Sequence, residues 1–557
     1  MGFTEIAVLF VAATIFGVIA KGLKQPLLVG YLLAGVILSY FGVLSDVGVY
    51  TSLGQIGVAL LLFLVGLEMN IRELPEIGKV ALFTGIGQIL FTTSIGFLIA
   101  LGLGFGVAPA LYIGVGLAFS STIIIVKLLS EKNALASLYG KISIGFLLVQ
   151  DFVAVLILVF LGSLVGRSLV PFDYLIIAAK ALALFATVWF LSKRILPRLF
   201  EKYLLSSQEL TLVVTVAWAL GVAAFVAGPL GFSFEIGGFL AGLALSNLPE
   251  HLQVASRTRP LRDFFLTIFF LLLGFDLVSG GLSFSLLHAA IFSIFVLVGN
   301  PIIVLAILGL LGYKRRTSFL AGLTVAQISE FSLIIVAMGL SLGHLEREVV
   351  STIVVVAVVT MTLSTYMIMY AEKIYKRIGK FLKVFERAIT VEQALASENE
   401  FSGHTVVVGY GKSGKTIAKY LIRKGHDVLV VDFNPKIFGL LTAQKIPVLF
   451  GDISDTDILS ASNVAKAALV VSTANGLAEN LSLLEYLRTK RSKAMVVMIA
   501  QTKSEAIKLY EFGASYVVLP SAVAGEHIRH VLKVYGVGGT RIEKIGKGHF
   551  NRLLAPA

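Results

Sequence analysis

The sequence predicts a helical membrane domain followed by a smaller domain of alternating strands and helices. Three observations lead to this prediction. The chain of 557 residues is 57% apolar and 14% charged, with a mean hydropathy of +0.91. Apolar stretches of about 20 residues, the length of a spanning helix, recur up to residue 370. Beyond Gly403 the pattern changes to short strands and helices in alternation, which is typical of an α/β domain.

Thirteen apolar stretches precede residue 372, and we number them as spans 1 to 13. Their approximate bounds are 4–20, 27–45, 52–69, 79–103, 108–129, 139–165, 172–192, 208–227, 231–248, 263–280, 284–312, 317–343 and 348–370. Each connection after spans 1, 3, 5, 7, 9 and 11 is basic, whereas the six opposite connections hold only Arg167 and Arg347. Because Lys and Arg stay on the cytoplasmic side, the N-terminus is predicted outside and the C-terminus in the cytosol.

The composition excludes several kinds of site and partner. The chain has no cysteine, which excludes disulfides, thiolate metal sites and cysteine nucleophiles. The positions of the charges explain the net charge of +13 better than nucleic-acid binding does, so no nucleic-acid partner is predicted. No cleavable signal peptide is evident, since Glu5 lies near the start of the first apolar stretch.

An internal repeat relates spans 1–6 to spans 8–13 at an offset of about 208 residues, with span 7 as a linker. The matching segments are Leu33–Ser39 with Leu240–Ser246, the residues around Gly66 with those around Gly274, and Gly114–Ser121 with Gly322–Ser329. Partners lie seven spans apart, and an odd separation inverts one repeat relative to the other. The alternative is chance similarity among apolar, glycine-rich segments. Inverted repeats are typical of secondary transporters, whose sites lie near the membrane midplane at broken helices.

Asp151 lies in the middle of span 6, in an otherwise apolar run, next to Gln150. A carboxylate at that depth is costly unless it is paired, protonated or hydrated, which makes it a candidate functional residue. It can hold either a proton or a cation, so its chemistry suits exchange of the two. Gln150 either supplies an oxygen or orients the neighbouring carboxylate. The alternative is a protonated Asp151 with only a structural role.

Polar residues at equivalent positions of spans 5 and 12 predict two discontinuous helices. They are Ser120, Ser121 and Thr122 in span 5, and Gln327, Ser329 and Glu330 in span 12. If both spans unwind there, hydroxyls and freed carbonyl groups line the site, and the ends of the half-helices add partial charge. Glu330 either joins the site or neutralises the positive end of the opposite half-helix.

Span 11 carries Asn300 and Pro301 side by side. Asn300 is polar but uncharged, and it is a further candidate for the site. Pro301 removes a backbone donor, so we expect a kink in this helix.

The chain divides into four predicted segments. Residues 1–371 form the membrane domain, 372–402 a basic amphipathic linker at the membrane surface, 403–535 the α/β domain and 536–557 a basic tail. Strands are predicted at 405–409, 427–432, 447–450, 467–472, 494–499 and 516–519. Six strands in a βαβ rhythm predict a doubly wound, Rossmann-like sheet.

The first of these strands ends in the motif G-x-G-x-x-G. It consists of Gly409, Tyr410, Gly411, Lys412, Ser413 and Gly414. The glycines allow a tight turn and a close approach of phosphate to the helix N-terminus. Asp432 ends the second strand, where an acidic residue accepts hydrogen bonds from ribose hydroxyls. Gly451 and Asp452, after the third strand, are candidates for contact with base or ribose.

The segment Gly409–Thr416 also fits G-x-x-x-x-G-K-T, the phosphate loop of ATPases. That loop requires Mg²⁺ and an aspartate on the metal, whereas Asp432 occupies the ribose position. The dinucleotide-type interpretation is therefore favoured. Nothing resembles a substrate site for hydride transfer, so we expect a sensor domain and not a dehydrogenase.

These features resemble the Kef-type branch of the monovalent cation:proton antiporters, in which an inverted-repeat membrane domain precedes a cytosolic RCK (TrkA-N-like) domain. The likeness covers roughly residues 5–535, and its most specific marks are Gln150-Asp151, Ala326–Phe331 and the Gly409–Gly414 loop with Asp432. The resemblance implies a homodimer whose mobile core carries the ion past a dimerisation scaffold. It implies that Asp151 binds the cation and the proton. It also implies AMP, ATP or NAD(H) at the cytosolic domain as a gate or stabiliser.

Two departures from this resemblance matter. Many relatives carry a basic residue in span 11, where this chain has Asn300. Electrogenic relatives carry two adjacent acids, where this chain has Gln150 and Asp151. The single acid suggests one proton per cation, and hence electroneutral exchange.

We therefore expect a secondary-active antiporter of K⁺, more than Na⁺, and H⁺ in the prokaryotic cytoplasmic membrane, gated by nucleotide. It is not expected to be an enzyme. Two alternatives remain: an RCK-gated cation channel, against which the absence of a Thr-Val-Gly-Tyr-Gly filter argues, and an ATP-driven transporter that uses the Gly409–Thr416 loop.

Overall fold

A computed structural model describes most of the chain. The described residues are 3–41, 48–68, 78–132, 134–135, 137–162, 187, 190, 193–194, 208–229, 234–246, 248, 251–279, 285–385, 401–474 and 476–535. They fall into two compact units. The first, the membrane unit, comprises Met1–Lys132 and Tyr139–Glu386, and the second, the C-terminal unit, comprises Arg387–Ala557 with Asn133–Leu138.

The described part of the membrane unit is helical. Its helices are α1 (Phe3–Gly22), α2 (Leu27–Tyr40), α3 (Gly48–Glu68), α4 (Gly78–Gly102), α5 (Val107–Gly116), α6 (Thr122–Glu131), α7 (Leu138–Gly162), α8 (Gln208–Ala227), α9 (Phe234–Leu245), α10 (His251–Ser279), α11 (Leu286–Ile294), α12 (Asn300–Leu310), α13 (Arg315–Leu323), α14 (Glu330–Ser341), α15 (Arg347–Met369) and α16 (Ala371–Ile378). A π-helical turn, Phe295–Gly299, joins α11 to α12, and a 3₁₀ turn, Phe381–Phe385, follows α16.

Twelve of the predicted spans coincide with described helices, and span 7 (172–192) lies almost wholly outside the described residues. Spans 5 and 12 are both interrupted, as predicted: α5 and α6 form the first, and α13 and α14 the second. By length and composition alone, six described helical segments could cross a membrane. Large apolar side chains such as Val18, Phe83 and Leu90 are about two-thirds exposed on these helices, which suits contact with lipid.

The helices pack as two bundles. The first bundle consists of α1–α3 and α8–α10, and the second of α4–α7 and α11–α15. At the centre of the first bundle, α2 crosses α10 and α3 crosses α9 so closely that glycine is required. A Cβ atom at Gly35 would overlap the carbonyl oxygen of Leu271, and one at Gly242 would overlap that of Phe63.

These two crossings are related by the internal repeat. Gly242 is the repeat partner of Gly35, and Leu271 is the partner of Phe63 at the offset found in the sequence. A second pair of glycines follows the same pattern. A Cβ atom at Gly66 would overlap the carbonyl oxygen of Phe239, and one at Gly274 would overlap that of Leu32. Chance similarity between the segments does not account for reciprocal contacts of this kind.

We expect Gly242→Ala to lower the apparent Tm of the detergent-solubilised protein. The added Cβ must displace the α3 backbone, and overpacking of this kind costs about 1–3 kcal/mol. Gly221→Ala on α8 is the matched control, because nothing lies within 4 Å of a Cβ there and alanine favours a helix over glycine. Equal thermal stability of the two variants would contradict the close crossing.

The C-terminal unit contains a six-stranded parallel sheet. Its elements are β1 (Thr405–Val408), α17 (Lys412–Arg423), β2 (Val428–Asp432), α18 (Pro435–Ala443), β3 (Val448–Phe450), α19 (Thr456–Ala461), a 3₁₀ turn (Val464–Lys466), β4 (Leu469–Ser472), α20 (Leu477–Thr489), β5 (Met495–Ile499), α21 (Lys503–Glu511), β6 (Tyr516–Val518) and α22 (Pro520–Tyr535). The strand order is β3-β2-β1-β4-β5-β6. Alternate residues of β1 enter different cores, Val406 on one face of the sheet and Val407 on the other. This is the predicted doubly wound fold.

Candidate functional site

Both broken helices are capped by a serine at the same position of the repeat. Ser121 precedes α6 and accepts a hydrogen bond from the backbone N–H of Ile124 at 3.4 Å. Ser329 precedes α14 and forms a reciprocal capping box with Ser332, at 3.3 Å in each direction. Serine is favoured at this position because its side chain satisfies an N–H group that has no partner within the helix. The caps explain why each half-helix begins where it does.

Asp151 lies beside the start of α6. The Thr122 hydroxyl donates a hydrogen bond to Asp151 Oδ2 at 2.8 Å, and Thr122 is the first residue of that half-helix. Taken as a whole residue, Asp151 is half-buried. The positive end of the α6 dipole favours a negative charge at this place.

Gln150 points into the second bundle and holds the unwound segment of span 5. Its Oε1 accepts a hydrogen bond from the backbone N–H of Ser120 at 3.0 Å, and its Nε2 donates to Gln88 Oε1 at 2.7 Å. The side chain is fully buried. Both ends of the carboxamide are therefore occupied by protein. The two predicted roles were to supply an oxygen or to orient the Asp151 carboxylate. The observed hydrogen bonds go instead to Ser120 and Gln88, so they hold the unwound segment of span 5.

Gln88, Thr92 and Asn300 complete this network. Gln88 Nε2 donates to the carbonyl oxygen of Ala118 at 3.0 Å and to Thr92 Oγ1 at 3.1 Å. Asn300 Nδ2 donates to the carbonyl oxygen of Leu117 at 2.9 Å, while its Oδ1 accepts from Thr92 Oγ1 at 3.0 Å. The carboxamide groups of Gln88 and Asn300 thus donate hydrogen bonds to carbonyl oxygens that have no helical partner where α5 ends. Thr92 and Asn300 are repeat partners that meet each other, separated by 208 residues.

Sequence reasoning identified Asn300 but missed Gln88 and Thr92. Both are polar residues at helical spacing within an apolar span. From the sequence alone, such residues cannot be distinguished from polar side chains that form hydrogen bonds only within their own helix. Pro301 does not end the helix. The π-helical turn just before Asn300 absorbs the missing backbone donor, as such turns commonly do.

The unwound segment of span 12 is held in a parallel manner. The backbone N–H of Ile328, the repeat partner of Ser120, donates to Thr360 Oγ1 of α15 at 3.4 Å. Ser364 Oγ donates to Gln327 Oε1 at 2.8 Å, so Gln327 is anchored to α15 as well. Thr360 and Ser364 on α15 thus do for span 12 what Gln150 on α7 does for span 5. Neither was predicted.

Glu330 is the first residue of α14, and its side chain is only 6% exposed. Its carboxyl group lies beside Ser121 and in the neighbourhood of Asp151. Glu330 Oε2 has no hydrogen-bond partner among the described residues. Both half-helix starts therefore have a carboxyl group close by, with serine and threonine hydroxyls beside it.

A cavity of about 710 Å³ separates the two bundles. It is lined mainly by apolar residues, with the charged residues Glu235 and Arg347 among them. Along α14 the lining runs from Ser341 to Ile334, which is one helical turn from Glu330. The cavity brings open space close to the carboxyl pair without including Asp151 itself.

In the C-terminal unit, Gly409 has φ +82°, a left-handed conformation that favours glycine. A Cβ atom at Gly414 would overlap the carbonyl oxygen of Gly409 and lie 3.0 Å from Thr473 Oγ1. Nothing lies within 4 Å of a Cβ at Gly411. The first and third glycines are thus needed by the protein itself, and the second leaves open space at the start of α17. Lys412 and Ser413 are exposed at that start.

Asp432 is buried at the end of β2 and accepts two backbone hydrogen bonds. Oδ2 accepts from Tyr410 N at 2.7 Å and Oδ1 from Asn434 N at 2.8 Å. This fixes the carboxylate at the mouth of the glycine loop, with further lone pairs left on each oxygen.

Gly451 and Asp452 serve packing and turn formation in the described structure. A Cβ atom at Gly451 would overlap the Ile458 side chain. Asp452 Oδ1 accepts from the N–H and the hydroxyl of Ser454 at 2.8 and 2.7 Å. These contacts give the two residues a local reason to be present.

The ATPase interpretation of this loop fits the structure less well. Helix α17 begins at Lys412, before the Gly-Lys-Thr triplet, so Lys415 and Thr416 lie within the helix. Thr416 Oγ1 donates to the carbonyl oxygen of Lys412 at 3.0 Å and not into the loop. The strand order is that of dinucleotide-binding folds.

Comparison with known proteins identifies both units. The profile of the family "Sodium/hydrogen exchanger, transmembrane" matches residues 6–369, and that of the TrkA-N domain matches residues 405–520. The putative cation/proton antiporter YbaL of Escherichia coli is 27% identical over 529 residues, which cover 91% of this chain and 93% of YbaL. The putative K⁺ efflux antiporter KefB of Alkalimonas amylolytica is 27% identical over 529 residues, or 93% of this chain and 79% of KefB.

A further relative carries a different name. The iron transporter MagA of Paramagnetospirillum magneticum is 30% identical over 393 residues, or 70% of this chain and 89% of MagA. The family profile covers well over half of the chain, and the predicted resemblance to antiporters with an RCK domain is confirmed. The chain belongs to the transmembrane sodium/hydrogen exchanger family and is a cation/proton antiporter with a C-terminal TrkA-N domain, not an enzyme.

Proposed function

We propose that this antiporter exchanges one monovalent cation, K⁺ in preference to Na⁺, for one proton at Asp151. The observation that carries the proposal is the hydrogen bond from Thr122 at the start of a broken helix to the carboxylate of the half-buried residue Asp151. This group can take up a cation only after it has released its proton. Hydroxyl and carbonyl oxygens of Ser120, Ser121 and Thr122 are available as further ligands for a partly dehydrated cation.

Glu330 and the residues of span 12 contribute to the same site in this proposal. Glu330 stabilises a cation near the two half-helix ends, and Gln327 and Ser329 keep the second break in place. Asn300 and Gln150 fix the geometry of the first break from within the second bundle. Their amides are neutral, which leaves Asp151 as the titrating group beside them. Gln150 stands where a second adjacent acid would titrate, and the single acid of the Gln150-Asp151 pair supports electroneutral exchange.

Two observations bear on the choice of ion. The relative KefB is named as a putative K⁺ efflux antiporter, which supports K⁺. The oxygen ligands proposed here accept K⁺ and Na⁺ alike. The relative MagA is named an iron transporter, so iron is a further ion to include in any test.

The decisive experiment is proton flux in proteoliposomes, reported by a trapped pH-sensitive dye after addition of K⁺, Na⁺, Li⁺ or Fe²⁺. We expect the largest response to K⁺ and no current on a solid-supported membrane. A cation flux without proton movement would indicate a channel, and flux that requires ATP hydrolysis would indicate an ATP-driven transporter. Either result would overturn the proposal.

We also propose that a nucleotide, AMP, ATP or NAD(H), binds at the glycine loop and gates exchange. The open space at Gly411, at the start of α17, supports an approach of phosphate to the helix N-terminus. The position of the Asp432 carboxylate beside the loop supports hydrogen bonds from ribose to it. Lys412 and Ser413 flank the phosphate position. Gly451 and Asp452 are proposed only as neighbours of the ribose, since local contacts already explain them.

Two glycine variants separate binding from folding. Gly411→Ala is expected to weaken nucleotide binding strongly, because the added methyl group occupies the space that the phosphate needs. The apparent Tm should change little, because no protein atom lies within 4 Å of that methyl group. Gly414→Ala is expected to lose binding and also to lower the Tm, because its methyl group meets Gly409. Calorimetric titration of the full-length protein with NADH, AMP and ATP provides the measurement. Unchanged affinity in Gly411→Ala would refute the site.

The proposed assembly is a homodimer in the cytoplasmic membrane of a prokaryote. The alternation of basic connections supports an outer N-terminus and a cytosolic C-terminal unit. In that orientation the cavity between the bundles opens to the outside, because Arg347 lies in an outer connection. The cavity then supplies water and ions to the site from one side of the membrane.

A further inference from the structure

The segment that leaves the last membrane helix runs across the end of the second bundle and does not project freely. We call this segment, Ala371–Phe385, the strap; it consists of α16 and the following 3₁₀ turn. Glu372 forms an ion pair with Arg316 of α13 at 2.6 Å. The rings of Tyr375 and Phe319 lie 5.8 Å apart. The strap is therefore fixed to α13, the half-helix that ends at the break of span 12.

The turn of the strap then reaches the rim of the bundle. The carbonyl oxygen of Phe385 lies so close to Gly309 that a Cβ there would overlap it. The next residue of α12, Leu310, is 66% exposed and continues an apolar face that includes Ile302. An exposed apolar face on a membrane helix suits contact with lipid, and on this basis we assign the turn to the lipid boundary.

The exposed surface of the strap combines basic and apolar side chains. Its exposed basic residues are Lys373, Lys376, Arg377, Lys380 and Lys383. Its one acidic residue, Glu372, is already paired with Arg316. Phe381 and Val384 are 80% and 89% exposed, and they alternate with the last two lysines. Exposed apolar residues beside a positive surface, at the lipid boundary, match the chemistry of an anionic membrane surface.

We propose that the strap binds anionic phospholipid headgroups of the cytoplasmic leaflet, with Phe381 and Val384 inserted among the acyl chains and the basic residues on the phosphates. The proposal rests on the antiport function and orientation proposed above. It assigns the strap a lipid partner that tunes the rate of exchange.

A route from the strap to the ion site exists within the membrane unit. Lys132, at the end of α6, donates to the carbonyl oxygen of Ile368 in the last turn of α15 at 2.8 Å. Helix α6 begins at Thr122, which binds Asp151. Arg316 ties the strap to α13 in the same way. A displacement of the strap can therefore be transmitted to one half-helix of each broken span: to α13 directly and to α6 through the end of α15.

The first test compares exchange in vesicles of phosphatidylcholine with exchange in vesicles that also contain phosphatidylglycerol. We expect the anionic lipid to raise the rate about fivefold, a factor that corresponds to one basic residue at an anionic surface. The double variant Lys380→Gln/Lys383→Gln is expected to lose this response. The matched control is Lys503→Gln/Lys508→Gln, which removes two exposed lysines from α21 of the C-terminal unit.

The second test is independent of transport. In a Phe381→Trp variant, lipids with brominated acyl chains are expected to quench the new fluorescence, and more strongly when phosphatidylglycerol is present. Absence of quenching would show that protein covers the strap and would overturn the proposal. Exchange at equal rates in both lipids would do the same while the antiport function stands. Absence of cation-dependent proton flux in either lipid would refute the proposed function itself.

Discussion

Replacement of Asp151 by asparagine should reduce cation-driven proton flux to the level of protein-free vesicles. An amide is close in size to the carboxylate and can still accept the hydrogen bond from Thr122. It can neither release a proton nor neutralise a cation, so both halves of the exchange stop. Because shape and the local hydrogen bond are retained, we expect little change in the apparent Tm. Dye-reported flux with each cation provides the measurement.

Two further variants make this test specific. Glu346→Gln removes an exposed carboxylate from the connection before α15 and should leave flux intact. Thr122→Val keeps the branched shape but removes the donor to Asp151, so it should reduce flux without abolishing it. Full flux in Asp151→Asn, or equal loss in Glu346→Gln, would refute the assignment of the site.

Competition between proton and cation at Asp151 predicts how the apparent KM for the cation changes with pH. If one proton and one cation compete for Asp151, acidification should raise the apparent KM for the cation and leave the maximal rate unchanged. In the range where the group is mostly protonated, mass action requires a shift of about tenfold per pH unit. A shift near a hundredfold per unit would require two protons and would contradict electroneutral exchange.

Some features of this site are encoded locally, and these were predicted from the sequence. A lone acidic residue in an apolar span can be recognised as a candidate site from the sequence alone. Burial of its charge is costly whichever way its side of the helix faces. The breaks in spans 5 and 12 were predicted from local polar residues. The structure shows that Ser121 and Ser329 cap the half-helices there through bonds within three residues. The glycine loop is equally local, and the observed strands lie within two residues of the predicted ones.

The role of Gln150 could not be predicted in the same way. It precedes Asp151 in the chain, yet its side chain is directed into the bundle, about 100° around the helix from its neighbour. That direction depends on how α7 packs against α4 and the unwound segment. The contacts to Gln88 and Ser120 span 62 and 30 residues. A short-range sequence pattern carries no information on contacts between residues so far apart along the chain.

Asn300 illustrates a further limit of family resemblance. The resemblance to the Kef-type branch implies a basic residue in span 11, where this chain has Asn300. Here the amide donates to the Leu117 carbonyl and accepts from Thr92. A lysine could replace only the donor. The exchange of residue type therefore changes what stabilises the break. The sequence shows the neutral residue, and the structure shows its partners.

Gln150→Leu is expected to cause the largest loss of exchange after Asp151→Asn, together with a loss of stability. Leucine has a similar volume but leaves the Ser120 N–H and Gln88 Oε1 without their partner in a dry core. An unsatisfied buried polar group costs about 1–3 kcal/mol. The unwound segment is then free to shift, and Thr122 moves away from Asp151. Flux and apparent Tm should both fall.

A double-mutant cycle shows whether Gln150 positions the site or binds the ion. Gln88→Leu breaks the same network from the other side, so Gln88→Leu/Gln150→Leu should cost clearly less than the sum of the single variants. Residual exchange in both should keep the wild-type order of cations and the same dependence of KM on pH. If Gln150 were instead a ligand, its loss would raise the cation KM without a fall in Tm, and Gln88→Leu would not reproduce it. Additive losses, or a change of ion order confined to Gln150→Leu, would therefore exclude the network as the reason that this amide accompanies Asp151.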